Sequence, residues 1–259
     1  METLISQLPS PIEILLDPIS LLVYAIFGGL FLWESLFPAR KLPQVKFWKL
    51  RGLAFFIAYM VLTTYIPLVW DDFFASYQLV NLSSLSLPVQ VILGIFVFEL
   101  VQYGWHISMH KSNFLFRVSH QIHHSAERLD VSSAFMLSVN DMIGLSLVGS
   151  ISFALVMGLS PQAITVIILT LTFFGVFQHA NINTPRWLGY IIQRPESHTI
   201  HHAKGIHRYN YTDLPIIDML FGTFKNPKSY EHETGYYLGA SDRLLEMLRF
   251  KDVTSPKEK

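Results

Sequence analysis

"LPVQVILGIFVFELVQYGWHISMH", residues 87–110, is the stretch on which the fold turns. Its part up to Trp105 is apolar and long enough to cross a bilayer, which takes about 20 such residues. The run ends on two histidines, His106 and His110, spaced so that they share one face of a helix one turn apart. A membrane helix that delivers imidazoles to its own end is the unit from which the rest of the chain is read.

The whole chain repeats that character. It has 259 residues, 51% hydrophobic and 15% charged, with a mean hydropathy of +0.37. A soluble domain averages about 25% charged residues, so the composition points to a membrane protein. Nineteen Lys and Arg balance nineteen Asp and Glu, which leaves no general affinity for nucleic acid. Cysteine is absent, which excludes disulfides, thiolate metal sites, iron–sulfur clusters and thiol nucleophiles. Any metal would have to be held by His, Asp, Glu, Asn or water.

Further spans are predicted at about 18–37 and 52–70. Two more, "MIGLSLVGSISFALVMGL" and "PQAITVIILTLTFFGVF", flank residues 160–162 as a helical hairpin that need not cross fully. The expected fold is all-α: an integral-membrane bundle of about 4–5 helices, one pair as a hairpin, under a helical cap formed by 180–259. Residues 1–259 read as one membrane-bound domain. The N-terminal stretch "METLISQLPSPIEILLDP" has no Lys or Arg, so the first apolar segment reads as a retained anchor rather than a cleaved leader. The tail "DVTSPKEK" is expected to fray.

Orientation follows from basic residues in short loops. Residues 38–51 carry Arg40, Lys41, Lys46, Lys49 and Arg51, whereas 71–86 carry none. The first loop is therefore expected in the cytoplasm and the N-terminus outside. All 11 histidines then fall at or beyond cytoplasmic helix ends, and the C-terminus with them.

Four histidine groups follow one another: His106 and His110 in "HISMH", His120, His123 and His124 in "HQIHH", His179 in "FQHANIN", and His198, His201 and His202 in "HTIHH". In H-x-x-H-H the first imidazole shares a helical face with the last two, whose own directions differ by about 100°. The pattern can serve two metals or approach one metal from two sides. Nine imidazoles exceed the needs of one ion, since even a structural zinc takes four ligands. Two six-coordinate metals would leave about three positions open. His207 and His232 lie outside the groups and read as ordinary polar residues whose loss should leave metal content intact. Glu99, Tyr103, His106 and His110 form one stripe at i, i+4, i+7 and i+11. An acid inside a span is a functional candidate. Glu99 is expected to accept a hydrogen bond from a ligand imidazole or from Tyr103, fixing a tautomer.

These residues resemble the fatty acid hydroxylase and sterol desaturase superfamily of membrane di-iron oxygenases. The resemblance rests on H-x(3)-H followed by two H-x-x-H-H motifs, in order, and on "NYTDLPIIDMLFGTF" at 210–224. "HQIHHSAE" is similar to the bacterial sterol-desaturase and alkylglycerol-monooxygenase branch. Coverage runs over about 95–225. Two departures stand out: Ile107 replaces a common arginine, and "MLSVND" at 136–141 replaces R-x-H-P. The resemblance implies an oxidoreductase with two iron ions and O2 as co-substrate, zinc being possible in recombinant material. The reaction implied is hydroxylation or desaturation of a C–H bond in a membrane lipid: a sterol, glyceryl ether, acyl chain or carotenoid. The nine grouped histidines would be the ligands. Asn181 or Asn183 would complete a site directly or through water, and Asp218 joins Glu99 and Tyr103 as a supporting candidate. No Gly-rich dinucleotide fingerprint is present, so electrons would come from an external reductase, cytochrome or ferredoxin. The setting implied is the bacterial inner membrane or the endoplasmic reticulum. The rival readings are a membrane divalent-metal carrier, which would need polar residues along a path through the bilayer, and a bis-histidine haem protein. A metalloprotease is disfavoured because H-E-x-x-H does not occur.

Overall fold

The structure is a computed structural model that describes residues 8–257. The first part of the anchor segment and the last two residues of the tail lie outside those described. Among the described residues there is no strand, only an isolated bridge between Ala203 and Thr234. The chain is an all-α membrane bundle, and five of its helical stretches are long and apolar enough to cross a bilayer.

Proline and small polar caps set the helix starts. Helix α1 (Pro11–Leu16) opens with a Ser10–Glu13 capping box, and α2 (Pro18–Leu36) is capped by Asp17. Helix α3 (Trp48–Tyr65) runs on through a 3-10 turn, Pro67–Val69, and α4 (Asp71–Ser76) is a short piece. The long α5 (Leu87–Lys111) carries the first two histidines in its last turns. A π-helical turn, Phe116–His120, leads into α6 (Gln121–His124). Helix α7 (Val139–Ser150) is prolonged by a second π segment, Ile151–Val156, and pairs with α8 (Pro161–His179). The cap contains α9 (Pro195–His201) and α10 (Pro215–Leu220). Pro195 and Pro215, read from sequence as breaks, each occupy a first helical turn, where the missing N–H is no loss.

Helix α5 packs against both α7 and α8, and α8 also packs against α2. Gly94 permits the α5–α8 approach, because a Cβ there would meet Ile167 Cδ1 at 2.3 Å. An aromatic cluster joins α2 and α3, with Phe27 stacked on Phe56 at 4.5 Å. At the end away from the histidines, the second π segment leaves carbonyls without helical partners. The 79–82 backbone takes them up, with Leu79 N–H donating to Leu155 O at 2.7 Å and Leu82 N–H to Met157 O at 2.9 Å.

The basic 38–51 loop lies at the histidine end. Arg40 donates to His232 O and Thr199 Oγ1, both at 3.3 Å, and its guanidinium covers the Tyr230 ring. Glu34, buried in α2, accepts the N–H groups of Val131 and Asn181 at 3.0 Å each, so one carboxylate ties α2 to the loops on both sides of the α7–α8 pair. The expectation of a frayed tail does not hold through residue 257. Val253 is fully buried with Ile122, Tyr236 and Met247, and Arg243 donates to Ser255 O at 2.9 Å.

Candidate metal centre

The nine grouped histidines converge in two adjoining sets. His106, His110, His120, His124 and His201 form one, and His123, His179, His198 and His202 the other; in each set the candidate ligand atoms lie within 4.8 Å of one another. The repeated motif thereby divides between the sets in opposite senses. From the first H-x-x-H-H, His120 and His124 go to the five-membered set and His123 to the four-membered one. From the second, His198 and His202 go to the four-membered set and His201 to the five-membered one. Residues i and i+4 stay together on one face, and i+3 turns to the neighbour. The sets abut: His124 and His202, one from each, stack at 4.3 Å.

Hydrogen bonds fix which ring nitrogen carries the proton. His106 Nδ1 lies 2.6 Å from Tyr211 O, His201 Nδ1 2.8 Å from Tyr209 O, and His179 Nδ1 2.6 Å from Gly175 O. A carbonyl only accepts, so each Nδ1 is the N–H and each Nε2 presents a lone pair. His120 Nδ1 is held by Asp141 Oδ2 at 2.7 Å, with the same consequence. For His106 and His120, both fixed in this way, the lone pairs face each other, and further Nε2 atoms converge beside them. His106 Nε2 is 3.0 Å from His120 Nε2, and His179 Nε2 is 3.2 Å from both His123 Nε2 and His198 Nε2. His202 Nε2 is 3.1 Å from His198 Nε2. The Nε2 atoms of His110, His124 and His201 are buried without a partner. Burial first, then the neighbouring imidazoles, hold His123, His124, His198, His201 and His202 well below the usual histidine pKa, so these rings are neutral and ready to ligate. A metal–nitrogen bond of about 2.1 Å places adjacent ligands of an octahedron about 3.0 Å apart, close to the spacing seen. Converging neutral imidazole nitrogens therefore fit two divalent metal ions.

The supporting residues differ from the sequence reading. Glu99 touches neither an imidazole nor Tyr103. Its Oε2 accepts the Asp213 N–H at 2.9 Å, because α5 runs beside the 209–214 loop at that depth. Asp218 accepts from Tyr211 N–H, Thr212 N–H, the Thr212 hydroxyl and the Thr223 hydroxyl at 2.6–3.0 Å. The two acids thus clamp the loop whose carbonyls orient His106 and His201. Tyr103 stacks on Phe221 and reaches only Thr223, at 3.5 Å. Asn183 is exposed, and Asn181 donates its Nδ2–H to Arg40 O at 2.8 Å while its Oδ1 is buried without a partner. Two functional candidates escaped the sequence reading. Asp141 is an acid in the first turn of α7, which Ser138 caps, and it belongs to no motif. His207 was set aside as an ordinary polar residue. Its Nδ1 lies 3.1 Å from His124 Nδ1, and burial lowers its pKa to about 4.

A cavity of about 320 Å³ leads from the histidines into the bundle between α3, α5, α7 and α8. His106, His120, His123, His179 and His198 line its inner end, so it reaches both sets. Along α8 it extends from His179 to Ile164, about 22 Å at the rise of a helix.

The family model described as "Fatty acid hydroxylase" matches residues 91–223, just over half of the chain. The chain belongs to the fatty acid hydroxylase family, within the superfamily that includes the sterol desaturases. No curated protein and no solved structure matches it. Membership implies a lipid-directed oxidoreductase, and with five apolar helices the chain is a multi-pass membrane protein.

Proposed function

We propose that this protein is an O2-dependent di-iron oxygenase that hydroxylates or desaturates a C–H bond of a membrane lipid. The observation that carries the reading is the convergence of Nε2 atoms at 3.0–3.2 Å in two adjoining groups, with the two lone pairs of His106 and His120 turned toward each other. Lone pairs repel at that distance unless a cation lies among them. Iron suits imidazole and cycles between oxidation states, which zinc does not. Two iron ions held by the nine histidines would supply activation of O2 against an unactivated C–H bond. Hydroxylation consumes one O2, two electrons and two protons and releases one water. The electrons come from an external reductase, cytochrome or ferredoxin.

The chain's own residues do the rest. Tyr209 O, Tyr211 O, Gly175 O and Asp141 hold four imidazoles in one tautomer, with Nε2 turned inward. The cap buries the histidines from the aqueous side, which excludes water and leaves the cavity within the bundle as the lipid's approach. A cytoplasmic histidine end suits a soluble or membrane-bound electron donor.

A metal carrier would also bind two ions. Metal analysis of purified protein, with O2 consumption in the presence of membrane lipid and a reductase, separates the two. Two metals per chain with lipid-dependent O2 uptake is the expected result. Comparison of lipids from cells with and without the gene then identifies the product. Two metals with no oxidised lipid under any donor would favour the carrier, and a haem spectrum would favour the haem reading.

A further inference from the structure

The cavity below the histidines is not uniformly apolar. Gln102 Oε1 on α5 and Ser146 Oγ on α7 line it, and both are buried without a hydrogen-bond partner. Ser146 is 8% exposed. Thr172 on α8 lines it too. Among the described residues its hydroxyl makes no bond of the kind that Thr165 and Thr170 make to the carbonyl four residues earlier. Three helices thus bring idle polar groups to one passage.

Their depth is similar. Gln102 lies one turn before His106, about 6 Å along α5. Ser146 lies five residues beyond Asp141, the partner of His120, or about 7.5 Å along α7. Thr172 lies seven residues before His179, about 10 Å along α8. Beyond this level comes an apolar stretch with Phe98, Phe153, Leu171 and Ile168, before polar groups return at the far end with Thr63, Asp71 and Ser150. Ile168 is 44% exposed, so that stretch of the passage borders the bilayer.

Resting on the oxygenase reading above, we infer that the substrate is a hydroxyl-bearing lipid, and that Gln102, Ser146 and Thr172 form a polar collar that binds its hydroxyl about 6–10 Å from the carbon to be oxidised. Buried polar atoms are strongly unfavourable unless paired, and an alkyl chain in this passage would leave all three groups dry. An ether or ester oxygen only accepts. A hydroxyl both donates and accepts, so it can satisfy the Gln102 carbonyl and a serine or threonine hydroxyl together. Part of the hydrocarbon spans the distance of about 6–10 Å from the collar to the histidines, and the rest lies in the apolar stretch beyond. The collar residues are positioning residues: they set which carbon reaches the histidines.

Binding of hexadecan-1-ol and of hexadecane to the purified, metal-loaded protein tests this. Each probe is compared between wild type and Q102L/S146A, so partition into detergent cancels. The double variant should bind hexadecan-1-ol about tenfold more weakly, the worth of one or two net hydrogen bonds, with hexadecane binding unchanged or tighter. Unchanged alcohol binding would overturn the proposal, and so would equal loss for both probes, which would mark a packing defect. If the double variant is not recovered folded, Ser146→Ala alone carries the test, with about a threefold selective loss expected. Metal content and O2-dependent turnover are read in parallel. Two metals without alcohol preference would sink the collar alone, whereas preference without metals would sink the oxygenase reading and leave the collar standing.

Discussion

His207 shows how a residue outside every motif can matter. Its ring Nδ1 meets His124 Nδ1 at 3.1 Å, although 83 positions separate them in sequence. One of the two must donate, so His207 helps fix the direction of the His124 ring, whose Nε2 faces the five-membered set. Residues that orient a ligand imidazole typically contribute about 10–100-fold to metal affinity. His207→Ala is therefore expected to lose metal to a chelator about 10–100-fold more readily than wild type. His232→Ala should match wild type, because His232 is exposed and only its carbonyl is used, by Arg40. Elemental analysis after chelator challenge reads both, and equal retention by wild type and His207→Ala would refute the assignment. Spacing on a single helix reveals eight of the nine ligand candidates because i, i+3 and i+4 are local, whereas His179 stands alone and is implied by the resemblance. It cannot reveal His207 or Asp141, whose roles arise only when a loop returns or a second helix arrives.

At the level of elements, the decisive piece is the loop 209–214. Asp218 holds it through two N–H groups and the Thr212 hydroxyl, and Glu99 holds it through the Asp213 N–H. The acid seven residues before His106 stands out in the sequence, but its contact is with a loop more than a hundred residues away rather than with an imidazole. Asp218→Asn replaces one of the two acceptor oxygens by an NH2 donor, which then faces the Tyr211 or the Thr212 N–H. It should lower stability by about 2–3 kcal/mol, the scale of hydrogen bonds to a buried charged group, and loosen His106 and His201. Tyr103→Phe removes only a 3.5 Å contact and should be neutral. Thermal melting of both variants, with metal content, tests the contrast, and a stability loss for Tyr103→Phe equal to that for Asp218→Asn would contradict it. The histidine clusters also explain a helix end that hydropathy underestimates. The apolar run stops at Trp105, but α5 continues to Lys111, because its last turns carry His106 and His110 into the sets.

At the scale of the molecule, the two ends of the bundle differ in charge. The histidine end carries the 38–51 loop with its five basic residues, and Arg40 joins that loop directly to the cap at Thr199 and His232. The 112–138 connection, with Arg117 and Arg128, belongs to the same end. At the opposite end, residues 70–86 and 157–160 contain no Lys or Arg, and 79–82 bond the backbone at the far end of α7. Short loops rich in Lys and Arg stay in the cytoplasm. The spans were legible because hydropathy alone marks them. The docking of the tail was not, since one valine among polar residues gives no pattern, and Val253 is buried only once Ile122, Tyr236 and Met247 come together. That docking places the C-terminal segment against the histidine end. A reporter fused to the C-terminus should therefore read as cytoplasmic, and one inserted at Ser84, in the exposed 81–86 turn, as external. Reversal of both signals would overturn the orientation while leaving the histidine sets intact. In that case the electron donor of the proposed reaction would have to be sought on the outer face of the membrane.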